Sequence, residues 1–212
     1  MRPPAFDDAF AHKLDALFAW RRDVRRFRPD PVDEAHLRAC LAAAHQAPSV
    51  GNSRPWRFVR VSDAGRRAAV AASFERCNAA AAAAYPDERA ARYRTLKLAG
   101  LTEAPVHLAA FCDATTETGL GLGRMSMPET LAYSVVGAVQ CLWLAARARG
   151  LGVGWVSILD PAAVTAILAV PESWRLVAYL CLGHPQEEHL DPELERHGWQ
   201  GPDPRGAAFI ER

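Results

Sequence analysis

"PETLAYSVVGAVQCLWLAARARGLGVGWVSIL", residues 128–159, decides how this chain folds. Pro128 and Glu129 suit the first turn of a helix, and the run to Arg147 is apolar around most of its circumference, as expected of a helix at the centre of a domain. Gly150 stands where a left-handed residue closes a helix, and "VGWVSIL" (153–159) then reads as a strand. Ser134 and Gln140 interrupt the apolar run and Arg147 ends it, so the segment is ill suited to a bilayer span.

Three further strands are legible outward from this core: "WRFVRV" (56–61), "VHLAAFC" (106–112) and "WRLVAYLCLG" (174–183). Phe6, Phe10, Leu14, Leu17 and Phe18 recur at helical spacing, and a second helix starts at Asp33 and Glu34, passes Leu37 and Leu41 and ends near Gln46 before Pro48. Residues 66–84 are alanine-rich and helical, and the run "NAAAAAA" (78–84) has too little bulk to specify tight packing, which suits a mobile cover. Asp160 caps and Pro161 opens a short helix to about Val170. Several helices fall between some strands, so an α+β layered fold is expected rather than a regular doubly wound one. Past Gly183 the chain turns polar, which suits disorder or a segment laid on a partner subunit.

The 212 residues are half hydrophobic with a formal charge of +1, which argues for one globular domain over 1–212 with an extension from about 184. That balance argues against intrinsic disorder and a broad nucleic-acid footprint. Asp7 and Asp8 stand where a signal peptide would be apolar, so a cytoplasmic address is expected. Cys40, Cys77, Cys112, Cys141 and Cys181 lie far apart among aliphatic residues and read as reduced core thiols. His184, His189 and His197 share no helix face and no H-E-x-x-H occurs, so no metal site is expected.

Two glycine series, "GLGLGR" (119–124) and "GLGVGW" (150–155), lack dinucleotide spacing, and the second precedes a strand rather than a helix. Gly152 and Gly154 could still let a flat ligand approach the strand backbone. Two other motifs carry candidate chemistry. In "RRDVRRF" (21–27) four arginines flank Asp23, enough donors for a phosphate and a carbonyl edge; the plainer reading is a solvated basic loop with an internal counter-ion. In "PSVGNSRPW" (48–56) Ser49, Asn52 and Ser53 sit between stiffening prolines, suited either to gripping the polar edge of a heterocycle or to an Asx-type turn.

Taken in order, "RRDVR" (21–25), "PSVGNSRPW" (48–56), "AVQCLWLAA" (138–146) and "GLGVGW" (150–155) resemble the FMN-dependent nitroreductase family across most of the chain. Asp23 in place of the usual Ser or Thr, the "SMPE" segment (126–129) and "PELERHGW" (192–199) are similar to its flavin-destroying branch. The resemblance implies a nitroreductase-like α+β fold with a mixed or antiparallel central sheet flanked by helices. It also implies a homodimer with wrapping termini and a flavin at the subunit interface. The implied reaction consumes reduced FMN with O2 to give 5,6-dimethylbenzimidazole, the lower ligand of vitamin B12, and erythrose 4-phosphate. A separate flavin reductase, using NAD(P)H, would supply the reduced FMN. By position, Asp23 is the implied base and Ser157 a hydrogen-bonding partner. Arg21, Arg22 and Arg25 would hold phosphate and ring carbonyl, with Val24, Ser49, Asn52, Gly154 and Trp155 also against the flavin. Arg54 stands where the family has glutamine, and Arg196 or Arg205 would supply the phosphate contacts from the C-terminal side. The alternatives are an NAD(P)H-dependent FMN reductase of nitroaromatics or quinones, and a non-catalytic flavin-binding module.

Overall fold

A computed structural model describes residues 3–202, 206 and 209–211; Arg205 lies outside the described residues. Four strands, β1 (Trp56–Arg60), β2 (Val106–Asp113), β3 (Gly152–Val156) and β4 (Trp174–Gly183), form one antiparallel sheet in the order β1-β2-β4-β3. Side chains alternate across it. Leu108, Ala110, Leu180 and Leu182 enter one core cluster, while Ala109, Phe111, Tyr179 and Cys181 enter another. The first face is covered by α2 (Glu34–Ala44) and α5 (Thr130–Arg147), the second by α3 (Ala64–Ala83) and α6 (Pro161–Leu168). With both faces covered, the middle of β2 and the second half of β4 have no solvent side, which is why residues 108–112 and 176–182 are unbroken apolar runs.

The local signals behave as read. Asp33 and Asp160 cap α2 and α6 through their carboxylates. Gly150, at φ 71°, closes α5 with Leu151 N–H on the Ala146 carbonyl and Gly150 N–H on that of Arg147. Differences arise where the partner is distant in sequence. β3 stops at Val156, so Ser157 lies just outside the strand and is exposed. Helix α4 (Asp87–Thr95) follows α3 unforeseen, with Pro86 before it and acidic residues in its first turn. Residues 66–84 are helical as read, and Val70 and Phe74, ahead of the alanine run, anchor α3 in the core.

Helix α5 is long and apolar enough to cross a bilayer by composition, but Leu131, Val135, Val139 and Leu142 pack into the core. Its opposite stripe is open: Tyr133 and Val136 are 59% and 42% exposed. Helix α1 (Asp8–Trp20) buries none of its residues, and Phe10 and Phe18 point outward. The tail departs from expectation as well. Between 184 and 199 it folds back on its own chain, where Arg28 N–H bonds the His184 carbonyl and Gln186 N–H that of Arg26. Trp199 then packs edge-on against Tyr85 and Tyr93, and α7 (Glu193–Arg196) lies between these two anchor points.

Candidate functional site

The connector 21–27 runs along the open edge of β3. Val24 N–H bonds the Val153 carbonyl at 3.0 Å, and Phe27 is buried, 3.2 Å from where a Cβ on Gly183 would stand. Gly154 exists for this contact, because a Cβ there would lie 2.1 Å from the Val24 carbonyl oxygen. At Gly152 a Cβ would meet the Val24 side chain at 2.7 Å. Where the sequence allowed a flat ligand to approach the strand at these two glycines, the chain's own connector lies against the Cβ positions.

So seated, the connector lines a cleft with Arg21, Arg22, Arg25 and Arg26, closed by Trp143 and Arg147 of α5 and by the tail, including Arg196. Acidic tail residues enter the same cleft: Glu193 holds Arg26 at 2.5 Å and Glu188 holds Arg147 at 2.5 Å. Arg22 donates to the Leu190 carbonyl at 2.6 Å. From the C-terminal side Arg196 enters the same cleft, its guanidinium donating to the Asp191 carbonyl at 3.0 Å.

Asp23 uses both carboxylate oxygens. Oδ1 accepts from Trp155 N–H at 2.8 Å, satisfying an amide on the sheet edge, and Oδ2 accepts from Arg25 Nε at 2.8 Å. A third of its side-chain surface stays open (34%). Among so many arginines a lowered pKa is the natural expectation, yet the carboxyl is pushed above its ordinary value. Burial outweighs the opposing pull of Arg25 and of the Trp155 amide. Ser157 follows Trp155 by two residues, about 7 Å along the chain, so both implied reactive groups share one edge of the sheet.

The serine-asparagine turn lies elsewhere. Gly51, Asn52 and Arg54 adopt φ of 54°, 53° and 44°, a concentration of left-handed backbone in one turn. Ser49 Oγ accepts from Arg54 N–H at 3.0 Å and Asn52 Oδ1 from Arg54 Nε at 3.3 Å, so both side chains are engaged within the turn, although neither makes the bond to the amide two residues on that defines an Asx-type turn. The series 119–124 packs against this turn: a Cβ on Gly119 would stand 2.4 Å from the Gly51 carbonyl, and one on Gly123 2.7 Å from Val50. Val50 N–H reaches Ser134 Oγ at the start of α5, whereas Arg21 lies over Trp143 near its end. Nine residues of helix, about 14 Å, separate those contacts. One chain therefore gathers Arg21, Arg22, Asp23, Arg25 and Trp155 at one end of α5, and Ser49 and Asn52 at the other. Trp143 was missed by sequence reading, its tryptophan indistinguishable there from a core residue.

This fold defines the class of protein. The nitroreductase family model matches residues 18–184, and the chain belongs to that family. Among its curated relatives, 5,6-dimethylbenzimidazole synthase of Rhodospirillum rubrum is 62% identical over 95% of each chain. The enzyme of the same name from Rhodobacter capsulatus is 49% identical, over 92% of this chain and 94% of that one. The fold is shared with the crystal structure of oxidised iodotyrosine deiodinase bound to FMN and 3-iodo-L-tyrosine: TM-score 0.72, 24% identity, 93% of this chain and 97% of that chain covered.

Proposed function

We propose that the chain makes 5,6-dimethylbenzimidazole, the synthesis for which two of its curated relatives are named, and that it does so from reduced FMN and O2 with erythrose 4-phosphate as the second product. The observation that carries this reading is the Asp23 carboxyl, fixed at the edge of β3 by Trp155 N–H and Arg25 and raised in pKa by burial. A carboxylate raised toward neutrality is a better base than a surface aspartate, and each oxygen keeps a lone pair beyond the bond it already makes.

The donor set fits the phosphate end of FMN. Arg21, Arg22 and Arg196 line one cleft, and guanidinium forks match the oxygens of a phosphate. Reduced FMN, when bound, supplies the electrons that oxygen takes up and the carbon skeleton of the product. Asp23 takes a proton from the ribityl arm, the Ser157 hydroxyl donates a hydrogen bond at the ring, and Trp155 flanks it. Val24 and Gly154 serve by seating the connector. Ser49 and Asn52 reach the flavin from a second copy of the chain in a homodimer. The separation along α5 and the open Tyr133 and Val136 stripe support that arrangement. A separate NAD(P)H-dependent reductase supplies reduced FMN, and the whole chain acts as one cytoplasmic domain.

Chemically reduced FMN mixed with the protein in air, followed by mass spectrometry, tests the reading. Dimethylbenzimidazole is expected from the parent. Asp23→Asn keeps an acceptor for Trp155 N–H, so it should bind FMN within about threefold of the parent while forming product at least ~100-fold more slowly. Full recovery of the flavin as oxidised FMN from the parent contradicts the proposal; sustained NAD(P)H turnover with the flavin retained would support a nitroreductase instead.

A further inference from the structure

Among the described residues six arginines line the cleft, and five have their guanidinium groups engaged. Arg22 and Arg196 donate to the Leu190 and Asp191 carbonyls, Arg25 to Asp23 and the Lys97 carbonyl, while Arg26 and Arg147 pair with glutamates of the tail. Arg21 differs. Among the described residues its side chain makes no hydrogen bond or ion pair; its guanidinium carbon instead lies 5.0 Å from the centre of the Trp143 ring. We propose that Trp143 is a positioning residue for phosphate capture, its indole face holding Arg21 in the cleft with every N–H still free for the ligand.

The physical case has two parts. A carboxylate partner would hold Arg21 equally well, but it would occupy the same fork of donors that a phosphate needs and would repel the incoming dianion. An aromatic face attracts the cation through its ring quadrupole and uses none of those donors. Burial and the neighbouring Arg22 draw the Arg21 pKa below its ordinary value, as befits a cation short of counter-charge.

The second part is the indole itself. Trp143 is only 8% exposed, and its Nε1 is buried with no hydrogen-bond partner among the described residues. A phenylalanine or leucine would fill this core without orphaning a donor, so packing alone gives no reason for tryptophan. Tryptophan is the aromatic that binds cations most strongly on its face. Trp155, whose amide anchors Asp23, lies 6.5 Å away ring to ring, so the support beneath Arg21 adjoins the strand that carries the proposed base.

The inference rests on FMN being the ligand, and the test separates the two. Titrate FMN and riboflavin, which lacks the phosphate, into the parent, Trp143→Phe and Trp143→Leu. The ratio of the two affinities isolates the phosphate increment. Trp143→Leu should lower that ratio about tenfold, and Trp143→Phe, which keeps an aromatic face, should restore it to within about threefold of the parent. Incorporation of fluorinated tryptophan, which keeps the shape while weakening the ring face, should lower the ratio too, and it serves if the leucine variant does not fold. An unchanged ratio in the fluorinated protein, or FMN and riboflavin weakened equally by Trp143→Leu, overturns the proposal. A parent that binds neither flavin instead overturns the reading of the ligand.

Discussion

Asp23 fixes a sheet edge with one oxygen and a guanidinium with the other, so on the proposed function position and reactivity would reside in one side chain. Its pKa shows which effect prevails: burial raises it, and a single guanidinium at 2.8 Å does not reverse that. A second buried group tests the same physics with the opposite sign. His107 lies within the sheet, 1% exposed, its Nδ1 3.0 Å from the Tyr179 hydroxyl. Burial, with Arg67 adding to it, lowers its pKa from 6.5 to about 4. Between those values the unfolded chain takes up a proton that the folded chain refuses. The stability it contributes is therefore complete above pH 6.5 and falls as pH drops to 4, by about 3 kcal/mol in all. Asp23 opposes this: its contribution is present at low pH and lost as pH rises through its raised folded pKa. Urea unfolding from pH 6.5 to 4 should thus show a steeper loss of stability in the parent than in His107→Phe; equal slopes would mean that His107 titrates normally.

At the scale of elements, the connector and β3 form one unit. Gly154→Ala would drive a methyl into the Val24 carbonyl, 2.1 Å from where that carbon must sit, and the obstacle is backbone rather than a flexible side chain. The expected cost is about 1–3 kcal/mol, together with weaker FMN binding as Asp23 leaves the Trp155 amide. Denaturant midpoints and flavin titration on one preparation check both, and a loss of stability with FMN affinity intact would separate the connector from the site. The same element marks what sequence can convey. The caps at Asp33 and Asp160, the Gly150 terminus, the four strands and the residues of "RRDVRRF" are legible because their signals are local or periodic. What Gly154 makes room for is not legible, since its neighbour Val24 lies far off in sequence. Helix α4 had a readable start at Pro86 with Asp87 and Glu88, but its polar face and tight link to α3 gave no separate apolar stripe. The tail's polarity concealed its docking, because Trp199 and the glutamates meet Tyr85, Tyr93 and arginines that only the fold brings near.

For the molecule as a whole, the proposed function would make the apolar surface left open the counterpart of a divided site. Phe10 and Phe18 of α1, Tyr133 and Val136 of α5, and Leu120 and Met125 beside the 49–54 turn are all exposed in one chain. The turn beside that surface carries Ser49 and Asn52, while Asp23 waits at the far end of α5. A two-fold dimer in which each flavin takes Asp23 from one chain and the turn from the other accounts for both facts. Mixing chains that carry Asp23→Asn with chains that carry a disabling Asn52 substitution tests this most directly. Each variant alone should be inactive. After subunit exchange, mixed dimers hold one intact site of two, and dimethylbenzimidazole formation should return to about a quarter of the parent rate. No recovery in a mixture verified to contain mixed dimers would mean that each site is built within a single chain.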